Sequence, residues 1–373
     1  MKVTREKAMK VIISGGGTGG HIFPAVSIAN AVREIEPRAE ILFVGAEGRM
    51  EMTRVPQAGY PIKGLPVAGF DRKNVFKNVK VLWRLWQSQR MAKEIISEFR
   101  PDVCVGVGGY ASGPTLQVAQ KMGIPTLLQE QNSYPGVTNK ILAKKADRIC
   151  VAYEGLERFF PEDKIMLTGN PVRQRLLDGR VTREEAREAL QLNQKDPVVL
   201  VVGGSLGART LNNAVMYGTN QISQERVQVL WQTGSYYHEE IMHELRHTAS
   251  PENLHVTQFI EDMAVAYAAS DLVVSRAGAG SISELCLLGK PCILVPSPNV
   301  AEDHQTKNAR ALVEKNAALM VEDKEARETL IPLALKTVAK AERLAELSRE
   351  IRKLAYENSA EIIAKEVIKL AKR

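Results

Sequence analysis

Short apolar runs alternate along the chain with longer segments of helical period. Lys10-Val11-Ile12-Ile13-Ser14 has strand length, and Ile22 to Glu36 follows with Ile22, Val26, Ala29 and Val32 spaced along one helical face. Further strands are predicted at Ile41 to Val44, Tyr60 to Val67, Pro101 to Val107, Ile124 to Gln129, Ala146 to Val151 and Lys164 to Leu167. Helices are predicted between them at Met50 to Gly59, Arg72 to Phe99 and Thr115 to Met122. Strands that are apolar throughout and alternate with helices imply a parallel sheet covered on both faces. Gly169-Asn170-Pro171-Val172-Arg173 interrupts the pattern, and a charged segment follows from Arg180 to Arg187. The alternation resumes at Val198 to Val202, with strands at Val227 to Gln232, Leu254 to Phe259, Asp271 to Ser275 and Pro291 to Pro296. A helix is predicted at Thr306 to Glu314, and a charged helical tail from Ala339. The expectation is an α/β protein of two Rossmann-like domains, residues 1–170 and 171–355, with a C-terminal helix, 356–373, packing back on the first.

Each half opens with a strand that runs into a glycine loop and then a helix. In the first half the loop is Gly15-Gly16-Gly17-Thr18-Gly19-Gly20-His21, and in the second it is Gly203-Gly204-Ser205-Leu206-Gly207-Ala208. Such a loop lets a ligand approach the backbone, and the unpaired amides at the helix start favour an anion. Gly15, Gly17 and Gly20 also satisfy the dinucleotide fingerprint G-x-G-x-x-G, although a glycine run satisfies many patterns. The acidic residue that should end the second strand is missing at Val44, and Glu47 comes late, beyond a glycine. Gly108-Gly109-Tyr110-Ala111-Ser112-Gly113 forms another glycine turn, and Glu130-Gln131-Asn132-Ser133 a polar cluster; both lie at carboxyl ends of strands.

The stretch Ser275-Arg276-Ala277-Gly278-Ala279-Gly280-Ser281-Ile282-Ser283-Glu284 joins a strand to a helix that carries a carboxylate near its start. A carboxylate repels phosphate but accepts from a pair of hydroxyls, so the stretch fits a sugar-phosphate, with a nucleotide as the natural candidate. Its plainer alternative is an ordinary turn with a solvated glutamate.

Composition narrows the classes. The 373 residues are 45% apolar and 25% charged, globular values for a chain of about two domains. No apolar run reaches the roughly 18–20 residues of a spanning helix, and the polar start carries no signal-peptide core, so a cytoplasmic chain is expected. The net charge of +7 suits an anionic partner, with no nucleic-acid-binding motif to accompany it. Cys104, Cys150, Cys286 and Cys292 are scattered without metal spacing and read as reduced, buried thiols. No Asp-x-Asp occurs, so the usual carboxylate clamp for a nucleotide-bound metal is missing, and neither metal nor cofactor is expected. His243 and His247 share a helical face but lack a third ligand nearby and read as solvated; His304 sits beside Gln305 in a loop. His21 ends a glycine loop, where an imidazole could move a proton near neutral pH.

The helix from Arg72 places Val75, Val79, Leu82, Trp83 and Trp86 on one face, with Lys73, Lys77, Lys80 and Arg84 on its flank. This fits either an ordinary surface helix with tryptophans in the core, or an anionic membrane surface met by tryptophan and basic residues.

With Gly-Gly-Thr-Gly-Gly-His at 16–21, Gly-Gly-Ser-Leu-Gly-Ala at 203–208 and the Ser281 to Glu284 turn, the chain resembles the MurG family of bacterial glycosyltransferases over nearly its whole length. That family transfers N-acetylglucosamine from UDP-N-acetylglucosamine to undecaprenyl-diphospho-N-acetylmuramoyl-pentapeptide (lipid I), giving lipid II for peptidoglycan. The resemblance implies a GT-B fold, two Rossmann-like domains with a crevice between them. The lipid acceptor and membrane would meet the first domain and the UDP-sugar the second. By this resemblance Thr18, Gly19, Gly20 and Asn132 are substrate-binding residues, and Arg173 and Ser205 lie near the donor diphosphate. Ile260 meets uracil through its backbone, Ala279, Gly280, Ser281, Ile282, Ser283 and Glu284 hold the nucleotide with Glu284 on the ribose, and Gln305 contacts the sugar. His21 corresponds to a histidine discussed as the base, and the Trp83 helix to a membrane-facing patch. The expected place is the cytoplasmic face of the cell membrane, held peripherally, with cell-wall synthesis and division proteins as partners. A GT-B enzyme with another acceptor, a nicotinamide-dependent oxidoreductase and a non-catalytic membrane-surface scaffold are the alternatives.

Overall fold

Among the described residues the apolar runs become thirteen strands in two all-parallel sheets. The computed structural model describes residues 8–67, 78–172, 176, 181–247, 250–300 and 303–373, with backbone alone for 78–82. The first stretch of chain holds β1 (Lys10–Ser14), α1 (Gly19–Ile35), β2 (Glu40–Ala46), α2 (Glu51–Gln57), β3 (Ile62–Leu65), α3 (Asn78–Phe99), β4 (Val103–Gly106), α4 (Ser112–Lys121), β5 (Thr126–Glu130), α5 (Val137–Ala143), β6 (Arg148–Val151) and β7 (Ile165–Leu167). The second holds α6 (Arg183–Ala189), β8 (Val198–Val202), α7 (Arg209–Gln224), β9 (Gln228–Gln232), α8 (His238–His247), β10 (Leu254–Thr257), α9 (Met263–Ala269), β11 (Leu272–Ser275) and α10 (Ala279–Leu288). It continues with β12 (Cys292–Leu294), α11 (His304–Val313), β13 (Leu319–Met320), α12 (Ala326–Val338) and α13 (Ala341–Arg352), and α14 (Ser359–Ala371) closes the chain. Two units result: Met1–Arg173 with Tyr356–Arg373, and Gln174–Ala355.

In the first unit the strand order is β3-β2-β1-β4-β5-β6-β7. Alternate residues of β1 feed opposite cores, Val11 and Ile13 meeting α1 and α14, and Ile12 meeting α3 and α4. Both faces being covered explains why the strand is apolar without alternation. The chain order reverses between β1 and β4, so their carboxyl-end loops lie together at a switch point, where α/β sheets bind ligands. Ile363, Ala364, Val367 and Leu370 of α14 are buried in the core of this unit.

In the second unit the order is β10-β9-β8-β11-β12-β13, with its switch between β8 and β11. Helices α7, α8 and α12 cover one face, and α9, α10 and α11 the other. Arg187 of α6 is fully buried yet well paired. It donates to the carbonyls of Ala269, Asn193, Gln194 and Asp196 and to Asp271 Oδ2 at 2.7 Å.

Several boundaries differ from those read from the sequence. β2 runs on to Ala46, because Gly45 and Ala46 still pair with Gly64 and Leu65 of β3. Glu47 therefore follows the strand directly instead of arriving late. α11 begins at His304, so Gln305 is helical. The tail from Ala339 is two helices, α13 and α14, which belong to different units. The tryptophans of α3 are not core residues: Trp83 is 61% and Trp86 59% exposed. The buried face of α3 is instead Ser88, Ala92, Ile95 and Ile96, at helical spacing. Lys73, Val75, Lys77 and Arg173 lie outside the described residues, while Val79, Lys80 and Leu82 are placed only as helix backbone.

Candidate active site

Each unit carries a cluster at the carboxyl ends of its central strands. In the first, Gly15 to Thr18 bridge β1 and α1, and Thr18 is the extended N-cap residue of α1. His21 sits in the first turn, and its Nδ1 lies 3.0 Å from Gly16 O and 3.3 Å from Thr18 Oγ1. A carbonyl can only accept, so Nδ1 carries the proton and Nε2 of the neutral ring carries the lone pair. The β4 loop closes over this ring. A Cβ at Gly108 (φ +91°) would come within 2.9 Å of His21 Cδ2 and Nε2, and one at Gly109 (φ +86°) within 2.4 Å of Gly16 O. These two positions therefore require glycine, which accounts for the second glycine turn.

Asn132 belongs to a buried polar network at the end of β5. The Glu130 carboxylate, 2% exposed, accepts from Asn132 N (3.0 Å), Asn132 Nδ2 (3.2 Å), Gly136 N (3.3 Å) and Asn139 Nδ2 (2.8 Å). Burial pushes this carboxyl above its ordinary range, and the donors oppose that shift. Gln131 donates to Val107 O at 2.7 Å, and Asn170 donates to Gln131 O at 3.0 Å. The network fixes Asn132 with its side-chain nitrogen turned inward.

In the second unit, Gly207 N closes a turn onto Gly204 O at 2.8 Å, leaving Ser205 exposed at its tip. Here too a second glycine is required, since a Cβ at Gly234 would meet Gly207 N at 2.0 Å. Across the switch point, α10 starts at Ala279 behind Gly278, with no side-chain cap on its first amides. Ala279, Gly280, Ser281 and Ile282 make up that first turn, and Ser283 Oγ bonds back to Ala279 O at 2.9 Å. Glu284 lies in the second turn, 6% exposed, and accepts from the Tyr267 hydroxyl at 3.0 Å. A carboxylate offers about four acceptor positions, and the phenol uses one. Ile260 lies half-buried against the core beside α9. Gln305 Oε1 accepts from Ser297 N at 2.8 Å, which leaves its amide nitrogen as the donor it can offer a ligand.

Three features escaped the sequence. Tyr267 supports Glu284 from another helix. Arg276, inside the 275–284 stretch, is committed to Val295 O (3.1 Å), Pro296 O (3.3 Å) and Asp323, so it stiffens the turn. Glu51 accepts from Gly17 N at 2.8 Å and Ala46 N at 3.0 Å. Gly17 N is thus given to an internal carboxylate, which weakens the dinucleotide reading even though Glu47 directly follows β2. His243 and His247 are exposed on α8, their rings 4.7 Å apart. Among the described residues no three His, Cys, Asp or Glu side chains group around a metal position. The four cysteines are buried and unbridged, and burial pushes Cys150 and Cys286 up to about 12.

Comparison with known proteins bears on the whole arrangement. Residues 11–151 match the glycosyltransferase family 28 N-terminal domain and 198–366 its C-terminal domain. A Bacteroides fragilis protein named UDP-N-acetylglucosamine--N-acetylmuramyl-(pentapeptide) pyrophosphoryl-undecaprenol N-acetylglucosamine transferase is 64% identical, covering 98% of this chain and 97% of that protein. The chain belongs to the MurG family. A Cytophaga hutchinsonii protein of the same name is 52% identical over 98% of each chain. The crystal structure of Acinetobacter baumannii MurG superposes with a TM-score of 0.76 at 28% identity, covering 97% of this chain and 99% of that one. The two parallel sheets are accordingly the Rossmann-like halves of a GT-B fold, and the family is one of hexosyltransferases.

Proposed function

We propose that the chain transfers N-acetylglucosamine from UDP-N-acetylglucosamine to the 4-hydroxyl of lipid I, forming lipid II. The observation that carries this reading is near-full-length identity to transferases of that name, 64% over 98% of the chain. The site chemistry agrees with it. Glu284 accepts the ribose hydroxyls, the first amides of α10 and Ser205 face the diphosphate, and Gln305 donates to the sugar. Arg173 adds a cation near the diphosphate, and the backbone of Ile260 meets uracil. In the first unit, Thr18, Gly19, Gly20 and Asn132 hold the acceptor.

The reaction is a single displacement with inversion. The acceptor oxygen forms its bond to the anomeric carbon as the bond to UDP breaks, and the α linkage becomes β. His21 Nε2 takes the hydroxyl proton, its tautomer held by Gly16 O. Charge gathers on the leaving diphosphate, where one preorganised donor is typically worth about 3 kcal/mol, or about a hundredfold in rate. Trp83, Trp86 and Arg84 stand exposed on α3, and this face, with the lysines near it in sequence, rests on an anionic membrane surface. No described helix is long and apolar enough to cross a membrane. The enzyme works peripherally at the cytoplasmic face, where cell-wall synthesis and division proteins are its natural partners.

The test is transfer of radiolabel from UDP-N-acetylglucosamine to a short-chain lipid I analogue. Labelled disaccharide lipid is expected. UDP-N-acetylglucosamine binding without transfer to this acceptor would point to another acceptor, and no binding at all would sink the reading.

A further inference from the structure

The base assigned to His21 depends on a loop whose own support comes from elsewhere in the first unit. Glu51 opens α2, is 1% exposed, and sends its carboxylate under the glycine loop. Oε2 accepts from Gly17 N at 2.8 Å and Oε1 from Ala46 N at 3.0 Å. The sequence makes room for it. A Cβ at Gly16 would lie 2.2 Å from Glu51 Cδ and Oε1, and one at Gly45 would lie 2.6 Å from Glu51 Cγ. Gly16, which looks like part of a phosphate cradle, and Gly45 of β2 are thus glycines because this side chain fills the space beside them. The loop then passes its position to the imidazole through Gly16 O, 3.0 Å from His21 Nδ1.

We propose that Glu51 is a positioning residue for the transfer reaction, an internal anion that pins the Gly16-Gly17 backbone and thereby holds His21 with Nδ1 protonated. The proposal rests on the reading of His21 as the base. A carboxylate suits this place because both facing groups are N–H donors and it can only accept. A glutamine of the same shape must turn its NH2 toward one of them, so one contact becomes donor against donor. The loop then shifts, the Gly16 carbonyl leaves the imidazole, and the ring samples the other tautomer. Misplacement of a reacting group by about 1 Å costs on the order of a hundredfold in rate.

The experiment compares Glu51→Gln and Glu51→Asp with the wild type in kcat, in KM for UDP-N-acetylglucosamine and in the ¹⁵N spectrum of the His21 ring. For Glu51→Gln we expect kcat lower by about a hundredfold, donor KM within about twofold, and ring shifts moving away from the single Nδ1–H tautomer. Glu51→Asp keeps the charge but reaches only one amide, so an intermediate kcat is expected; it also carries the test if the glutamine variant does not fold. Wild-type kcat and an unchanged ring spectrum in a folded variant would overturn the proposal. So would equal losses in kcat and donor affinity, the mark of general loosening. If the wild type itself transfers nothing to lipid I while the tautomer still follows residue 51, the positioning stands and the assigned reaction fails, so the two failures read differently.

Discussion

Glu284 and His21 belong to different units, and on the proposed mechanism they do separable work. Glu284 is held by Tyr267 on the binding side, so its loss should appear in donor affinity. Glu284→Gln keeps a partner for the phenol but gives up the charge that strengthens bonds to a ribose. Hydrogen bonds to a charged group contribute roughly 1.5–3 kcal/mol, so the donor Kd should rise by about ten- to a hundredfold. His21→Ala removes the proposed base instead. General base catalysis is worth on the order of a hundred- to ten-thousandfold, so kcat should fall in that range while donor Kd stays put. Calorimetric titration with UDP-N-acetylglucosamine and the radiolabel assay separate the two effects. Equal losses of donor affinity in both variants would contradict the division. His21 and Glu284 stand out in the sequence because each ends a run of mostly small, uncharged residues, Gly15 to Gly20 and Ala277 to Ser283. Glu51 and Tyr267 do not, since each meets its partner 34 and 17 positions away in the chain and only the folded backbone joins them.

At the scale of elements, the repeated strand, loop and helix was legible because glycines interrupt apolar runs at strand ends. The helix α12 was not. Leu330, Ile331, Leu333, Ala334 and Leu335 crowd its middle, and with apolar side chains nearly all round, the helical period is blurred. The exposed side of α3 was ambiguous for another reason: Trp83 and Trp86 lie on the face opposite its buried residues, and both faces carry large apolar side chains at helical spacing, so spacing alone does not say which is core. α12 also explains a glycine inside a helix. Gly218 of α7 lies where a Cβ would meet Ile331 Cβ, Cγ1 and Cγ2 at 2.7 Å. Gly218→Ala gains about 1 kcal/mol of helix propensity. It meets an overpacking cost of about 1–3 kcal/mol in a core that cannot give way. The cost wins, and urea unfolding should show a net loss of about 1 kcal/mol. Adding Ile331→Ala removes Cγ1 and Cγ2 from the contact, so the double variant should lose less than the sum of the two single ones; strict additivity would show that the helices adjust freely.

At the scale of the molecule, the chain ends in the unit where it began. Tyr356 passes over Gly169, where a Cβ would be 2.2 Å from Tyr356 Cβ, and α14 then packs on α1. Ion pairs tie its far side, Arg148 to Glu366 at 3.2 Å and Lys372 to Glu36 at 2.6 Å. The apolar side matters more. Fully burying a side chain such as Ile363, Val367 or Leu370 is worth about 1.5–3 kcal/mol, so the three together contribute about 5–9 kcal/mol. That is comparable with the whole stability of an ordinary domain, about 5–15 kcal/mol. The largely exposed Lys372–Glu36 pair adds at most about 1 kcal/mol, and the mostly buried Arg148–Glu366 pair sets a desolvation cost against its attraction, so neither alters the comparison. Deleting residues 356–373 should therefore unfold the first unit, although almost all of that unit's sequence remains. The second unit keeps its own cores, including Leu354 and Ala355 just before the cut. Limited proteolysis with mass spectrometry should find cleavage concentrated between residues 8 and 172, while 181–355 resists and UDP-N-acetylglucosamine still binds. Cleavage spread evenly through both units would mean that α14 supports more than the unit into which it is packed.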